Sequence, residues 1–130
     1  MTTPTKRTMD ACREAKCGKV PPWLRRPAPY VSYEEVETKY AGKRDFLGFI
    51  DVLCFCPPVC IGIQATTSGH LAARLHKICN ERAENAWYWL ACGNAIEVWG
   101  WRKYSKPVDG RWWRARFVDV TFKDLKFAKP

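Results

Sequence analysis

The sequence predicts a single α/β domain, and two observations lead to that prediction. The chain has 130 residues, 47% of them hydrophobic, which suits one folded domain with a modest core. Segments of helical and strand character alternate along it: a helix, two or three strands, helical segments and two more strands. We expect residues 1–29 to form an N-terminal helix and loop, and residues 30–130 to form the core of the same domain.

The first elements are predicted from local signals. Residues 5–16 have the pattern of a short helix that stops before Gly18. Residues 18–29 are rich in Gly, Pro and Arg and should form a surface loop. Residues 30–40 combine a helix-capping pattern with strand-forming side chains, and we favour a strand that ends near Tyr40.

Two apolar runs are the best strand candidates. Residues 49–56 and 60–66 are rich in β-branched and aromatic side chains and are too short for helices, and the proline pair between them should form a turn. Residues 46–63 are also the most membrane-like stretch of the chain. The central Asp51 and the prolines argue against a lipid-spanning helix, so no membrane partner is predicted.

The second half of the chain begins with helices and ends with a hairpin. After the second apolar strand, apolar residues recur at helical spacing. The opposite face of this helix carries four polar residues, His70, Arg74, Lys77 and Glu81. Residues 85–93 have the pattern of a second helical segment closed by a glycine. Residues 95–104 and 111–122 are predicted strands, joined by a loop that ends in Asp-Gly.

The charge of the chain indicates a polyanionic partner. Lys and Arg number 22 against 13 Asp and Glu, so the formal net charge is +9. Such an excess is typical of nucleic-acid binding, although ribosomal, membrane-surface and simply soluble proteins share it. The C-terminal strands interleave tryptophans with basic residues, and about half of these should be core aromatics and solvated arginines. The candidates for phosphate contacts are Arg44, Arg74, Lys77, Arg102, Lys103, Arg111, Arg114 and Arg116.

The N-terminus and the cysteines indicate the cellular compartment in which we expect the protein. No apolar segment of the secretory type opens the chain, so we expect a cytoplasmic protein with reduced cysteines. Cys54, Cys56 and Cys60 lie close together, but no Cys-x-x-Cys pair occurs. We expect them to pack as small apolar side chains, so no structural zinc is predicted. Walker and Gly-x-Gly-x-x-Gly motifs are absent from the sequence, so no nucleotide cofactor is predicted.

Two polar residues stand inside the apolar strands and suggest a site. A buried carboxylate is costly unless it is paired or binds a cation. If the two strands form a hairpin, Asp51 and Gln64 can converge at the sheet edge where a helix begins. Oxygen ligands gathered in this way suit Mg²⁺ or Mn²⁺, which can activate water beside a phosphate. The structural alternative is that Asp51 caps a turn or pairs with Arg44, and that Gln64 binds the backbone.

The stretch "GFIDVL…CIGIQATTSGHLAARLHKI" resembles the PD-(D/E)xK nuclease superfamily. It is most similar to the small Holliday-junction-resolvase-like and phage-encoded members, in which an aspartate follows a glycine on the first strand. The resemblance covers residues 36–130. It implies a restriction-endonuclease-like core, with a central mixed β-sheet flanked by helices.

The resemblance also implies roles for individual residues. Asp51 would be the first metal ligand, Gln64 stands where the second acid usually stands, and Thr66 stands where the lysine usually stands. Lys77 or His70 on the next helix would supply the basic group near the attacking water. An upstream acid would come from Glu37, Asp45 or Glu14. The resemblance thus places the metal at Asp51 and Gln64 with one of these acids.

The function predicted from these observations is that of a Mg²⁺- or Mn²⁺-dependent DNA endonuclease in a prokaryotic or phage-infected cell. It could select DNA structures such as junctions, and it should act as a homodimer, because one small domain must engage two strands. Gln64 is neutral and Thr66 cannot polarise water as a lysine would, so two alternatives stay open. One is a catalytically degenerate nucleic-acid-binding module. The other is a phage-type protein that binds another protein through exposed aromatics.

Overall fold

The computed structural model of the chain describes residues 2–16, 32–35, 46–108 and 110–127. The predicted loop after the first helix and the predicted strand end near Tyr40 lie outside the described residues. So do three residues with predicted roles, Glu37, Arg44 and Asp45.

Helices and strands follow one another in the predicted order. The helices are α1 (Pro4–Lys16), α2 (Leu71–His76) and α3 (Ala83–Ala91). The strands are β1 (Ser32–Glu35), β2 (Val52–Cys56), β3 (Val59–Thr67), β4 (Ala95–Val108) and β5 (Arg111–Val120). A 3₁₀ turn at Ser68–His70 leads into α2, a π-helical turn at Lys77–Glu81 joins α2 to α3, and a 3₁₀ turn at Phe122–Asp124 follows β5.

The described strands form one five-stranded mixed sheet in the order β1-β2-β3-β4-β5. Strand β2 pairs antiparallel with β1 on one side and with β3 on the other, β4 is parallel to β3, and β5 returns antiparallel to β4. A parallel pair needs a crossover connection, and the helical segments α2 and α3 provide it. The α/β class, with a mixed sheet flanked by helices, is therefore confirmed.

One face of the sheet is covered by α1. Ala11 and Cys12 of this helix pack in one cluster with Cys54, Ile63 and Trp99. A hydrogen bond from the Trp101 indole N–H to Thr8 Oγ1, 2.9 Å long, also joins the sheet to the helix.

The opposite face is covered by α2, the π-helical turn and α3. Leu71, Ile78 and Ala86 pack in a second cluster with Ile96 and Val98. Because side chains alternate along a strand, successive residues of β4 supply the two clusters in turn. The sheet is thus buried on both faces, which is why its central strands are so apolar in sequence.

The predicted strand over residues 49–56 begins three residues too early. Phe46 and Ile50 form a bridge across a tight turn, and Leu47 and Gly48 have positive φ angles of 57° and 83°. Phe49 and Ile50 are fully buried, so they carry the apolar pattern of a strand although they belong to a turn. Strand β2 starts only at Val52.

The other helix and strand predictions agree with the structure to within a few residues. The helical segment predicted to close with Gly93 ends there, where the glycine has a φ of 86°. The C-terminal hairpin turns at Gly110, and a bulge lies between Lys103 and Val108. Within the described parts of the chain, no helix is long and apolar enough to cross a membrane.

Candidate functional site

The candidate site lies where β3 extends past the N-terminal end of its antiparallel neighbour β2. Pairing between these strands starts at Val52 opposite Ile63, whereas β3 continues to Thr67 and stays paired with β4 on its other side. Asp51 precedes the first residue of β2, and its backbone N–H donates to the carbonyl of Ile63 at 2.9 Å. The last part of β3 therefore presents an edge that Asp51 is placed to meet.

The Asp51 carboxylate binds this edge directly. Its Oδ2 atom accepts a hydrogen bond from Gln64 Nε2 at 2.7 Å and another from the Ala65 backbone N–H at 2.9 Å. Gln64 is only 3% exposed, so this is a nearly buried contact between a carboxylate and an amide. The predicted juxtaposition of Asp51 and Gln64 is present, and Asp51 also takes the place of a strand partner for Ala65.

Gln64 brings an unsatisfied atom to the site. Its Oε1 is buried, and no described residue donates a hydrogen bond to it, which in the interior costs about 1–3 kcal/mol. Thr66 lies two residues further along the same strand face and is 5% exposed. A carbonyl oxygen without a donor is an atom that a cation or a proton donor would satisfy.

Asp51 and Gln64 line an open cleft of about 390 Å³, which we call the Asp51 cleft. Its other walls are formed by β3, by the first residues of α1 and by the start of α2; the lining residues that matter below are Thr66, Thr67, His70 and Arg74. Thr67 Oγ1 and His70 Nδ1 are 2.9 Å apart and share a hydrogen bond, which leaves Nε2 as the outer nitrogen of the ring. In the described part of the chain, no carboxylate forms a salt bridge with Arg74, so the cleft contains an uncompensated guanidinium.

The N-terminal end of α1 adds little positive potential to the cleft. Pro4 has no N–H, and Thr3 Oγ1 already accepts the N–H of Lys6 at 3.2 Å. Only the N–H of Thr5 therefore remains from the first three residues of the helix. Arg74 is the stronger contact for an anion.

Several predicted site residues lie elsewhere. Lys77 is not among the residues that line the Asp51 cleft, because it lies about 10 Å along the helical axis from His70. The role of Lys77 near the attacking water stays a prediction, and His70, which lines the cleft, is the better placed of the two. Glu14 is also remote, since its Oε2 accepts a 2.6 Å ion-paired hydrogen bond from Arg111 in a different cleft.

The oxygen atoms of the cleft meet only the minimum requirement for binding a small hard cation. The carboxylate of Asp51 and the orphaned Oε1 of Gln64 are oxygen ligands of the type that Mg²⁺ and Mn²⁺ prefer, completed by waters and phosphate. Among the described residues, no group of three or more His, Cys, Asp and Glu side chains could hold a metal. The residues that would hold such an ion are Asp51 and Gln64, and the Gln64 amide would have to turn over, because Nε2 and not Oε1 faces Asp51 in the structure.

The predicted basic residues of the C-terminal hairpin form a face of their own. Arg102 and Arg114 lie directly opposite each other on β4 and β5, and their guanidinium carbons are 5.4 and 3.5 Å from the ring centre of Tyr104. Arg116 follows on the same strand face, opposite Gly100. Like charges placed opposite each other are destabilising, and in the described residues none of these arginines forms a salt bridge. Arg114 Nε is also buried without a partner. This face has the character of an anion-binding surface.

The start of α2 lies beside both the basic face and the Asp51 cleft. A side chain added at Gly100 would meet Leu71 at 3.3 Å, so the start of α2 packs directly beside the position opposite Arg116. The same helix carries Arg74 into the cleft. Arg111 differs from the others, since Glu14 compensates its charge, and Lys103 lies on the opposite strand face with its Nζ 6.0 Å from the ring of Trp112.

Sequence reasoning missed one buried acid. Glu97 on β4 is 2% exposed, and its Oε1 accepts a hydrogen bond from the Trp99 indole N–H at 2.9 Å. The signal was available, because Glu97 interrupts an apolar strand in the same way as Asp51. It lies on the α1 side of the sheet, whereas Gln64 lies on the side of α2.

The cysteines of this region are core residues. Cys12, Cys54 and Cys56 are buried, and none of these three is in a disulfide. A hydrogen bond with Cys12, together with burial, raises the pKa of the Cys54 thiol far above its ordinary value. Thiols held in this way are poor nucleophiles.

Comparison with known proteins adds no relative: no family model, no curated protein and no solved structure matches this chain.

Proposed function

We propose that this protein binds DNA and hydrolyses phosphodiester bonds at the Asp51 cleft with Mg²⁺ or Mn²⁺, as a metal-dependent endonuclease. The observation that carries the proposal is the convergence of predicted site residues. Asp51, Gln64, Thr66 and His70 line one cleft, and the predicted phosphate contact Arg74 lines it with them. They come from three successive elements, so their convergence is a property of the fold and not of local sequence.

The order of elements supports a restriction-endonuclease-like core. After α1 and β1 comes an antiparallel strand pair, with Asp51 before its first strand and the Gln-x-Thr sequence on its second, and a helix follows. A hairpin followed by a helix is what the resemblance to PD-(D/E)xK nucleases implies. The further strand β4 is parallel to β3, which completes a mixed sheet.

The residues of the cleft have complementary roles in this proposal. A bound divalent ion would activate a water molecule and stabilise the charge that develops on the phosphate. Asp51 and Gln64 would hold the cation, and Arg74 would contact a phosphate oxygen. The Nδ1 atom of His70 is hydrogen-bonded to Thr67 Oγ1, and in the tautomer in which Nδ1–H is the donor, Nε2 can accept a proton from water.

The basic face of the hairpin supports DNA as the substrate. Arg102, Arg114 and Arg116 place three further positive charges on one face of β4 and β5, and the whole chain has a net charge of +9. Phosphate contacts of this kind position a protein on nucleic acid without reading sequence. A homodimer would give each strand of a duplex or junction its own cleft.

A second candidate function is DNA binding without cleavage. The observation that favours it is the state of Asp51, whose Oδ2 already accepts two N–H groups and thereby completes the edge of β3. A carboxylate occupied in this way has a structural use that needs no metal. The neutral Gln64 provides no second negative charge for a cation.

A cleavage assay separates the two functions. The protein is incubated with linear duplex, single-stranded and four-way-junction DNA in Mg²⁺, Mn²⁺ or chelator, beside an Asp51→Asn variant. The amide oxygen of asparagine can still accept both hydrogen bonds, so the variant should fold and bind DNA. We expect metal-dependent products from the wild type alone. Binding without products under every metal condition would favour the second candidate, and products that persist in the Asp51→Asn variant would exclude Asp51 as the metal ligand.

A further inference from the structure

We propose that a second cleft, between α1 and the β4–β5 hairpin, binds one unpaired nucleotide, with its base against Trp112 and its phosphate at Arg7. This inference rests on the proposed function, because it takes the ligand to be a nucleic-acid strand. The cleft measures about 240 Å³, and the residues that matter for the argument are Arg7, Asp10, Glu14, Arg111, Trp112 and Trp113. We call it the Trp112 cleft. It is smaller than a site for a drug-sized ligand, so one base suits it better than a longer segment.

The aromatic wall of the cleft is exposed. Trp112 has 47% of its surface accessible, although tryptophan is usually highly buried. The ring of its neighbour Trp113 is covered by the guanidinium of Arg7, whose Cζ lies 3.9 Å from the ring centre. The Trp112 indole is exposed whereas the Trp113 indole is covered, so the Trp112 ring offers a flat surface on which a base can stack.

Arg7 is the uncompensated cation of this cleft. Arg111 is paired with Glu14 at 2.6 Å, and Asp10 is paired with Lys6 and Arg13 at 3.4 and 3.0 Å. No described residue forms a salt bridge or side-chain hydrogen bond with Arg7. Its stack on Trp113 fixes the plane of the guanidinium, which lowers the entropy lost when the N–H groups bind a phosphate.

The two clefts share the first turn of α1. Pro4 and Thr5 line the Asp51 cleft, while Thr2 and Arg7 line the Trp112 cleft. A helix is about 10 Å across, so a strand that leaves one cleft reaches the other within a few nucleotides. The uncompensated Arg74 and Arg7 then lie on the same path.

The chemistry of the Trp112 cleft specifies a class of substrate. A base can stack on an indole only after it has left the base stack of a duplex. The proposed ligand is therefore DNA that carries an unpaired segment, such as a single strand, a flap or an open junction arm. Fully paired duplex can occupy the basic face but not this cleft.

The experiment compares two fluorescent single strands of equal length and charge, one with normal bases and one made of abasic residues. Affinities are measured at low salt by fluorescence anisotropy for the wild type, Trp112→Ala, Trp112→Leu and the matched control Tyr88→Ala. Tyr88 is 49% exposed, so it loses a similar exposed ring, but it lies on α3 on the other side of the sheet. Trp112→Leu retains apolar bulk without a flat ring, and circular dichroism checks the fold of each variant.

We expect the wild type to bind the base-bearing strand about 5- to 150-fold more tightly than the abasic strand, as one base–aromatic stack provides. Both Trp112 variants should lose this preference, and Tyr88→Ala should keep it. Arg7→Gln should weaken the binding of both strands alike, because a phosphate contact does not depend on the base. A wild type that binds both strands equally, or a preference that survives in both Trp112 variants, would overturn this inference and leave the proposed function standing. Absence of binding to either strand and to duplex would overturn the proposed function as well.

Discussion

Replacing Gln64 by glutamate tests the contact at the centre of the Asp51 cleft. The Nε2 atom of Gln64 lies 2.7 Å from Asp51 Oδ2, so the Gln64→Glu variant sets two carboxylates against each other at a site that is 3% exposed. If both were ionised, their repulsion at 2.7 Å would cost about 6 kcal/mol at an effective dielectric constant of about 20. Holding one of them protonated costs less. A glutamate with an ordinary pKa of about 4.3 costs about 3.7 kcal/mol to protonate at pH 7.

The expected loss of stability therefore depends on pH and on metal. Sharing a proton raises the pKa of the pair in the folded state above the unfolded value. Relative to wild type, the loss should be small below about pH 4, about 1 kcal/mol at pH 5 and roughly 4 kcal/mol at pH 7. A divalent ion bound between the two carboxylates should restore stability at pH 7 and raise any cleavage activity at low metal concentration.

The assay is denaturant unfolding of wild type and variant at pH 5 and pH 7, in chelator, Mg²⁺ and Mn²⁺. Gln64→Met is the matched control, because it removes the amide without adding charge; its loss of stability should depend far less on pH than that of Gln64→Glu, and no divalent ion should reverse it. A loss that is equal at both pH values would refute the contact between Asp51 and Gln64. A pH-dependent loss of stability that no divalent ion reverses would support the contact between Asp51 and Gln64 and contradict the role of a metal in the proposed function.

Two further outcomes are expected. Arg74→Gln should reduce the slope of log affinity for DNA against log salt concentration by about one. Lys77 lies away from the cleft, so Lys77→Gln should change the slope little. Equal slopes in salt titrations of the two variants would contradict the assignment of Arg74. The Cys54 thiol has a raised pKa in the folded state, so the stability that it contributes is present below its ordinary value of 9.0 and is lost as the pH rises through and above that value. Melting temperatures between about pH 8 and pH 10 should fall less steeply for Cys54→Ala than for wild type, and parallel curves would show that another group causes the alkaline loss.

The class of the fold and the two central residues of the candidate site can be predicted from the amino-acid sequence. Local patterns carry this information, because alternation and helical spacing depend only on which side chains face the core. The interruption of an apolar strand by a carboxylate or an amide is equally local. For this reason the sequence predicts that Asp51 and Gln64 converge. Glu97 also interrupts an apolar strand, but no second polar residue nearby in the sequence indicates a site there.

How these residues meet, and which residues surround them, depends on long-range packing. The boundary between turn and strand at Val52 follows from burial of Phe49 and Ile50 on neighbouring elements, which a local pattern does not contain. The pairing of Glu14 with Arg111 likewise joins residues 97 positions apart. Because of this long-range packing, Glu14 lies outside the Asp51 cleft and the first turn of α1 lines it. The Trp112 cleft lies on the other side of that helix. Such contacts depend on the register of the sheet and on the direction of each helix, and these are properties of the whole fold.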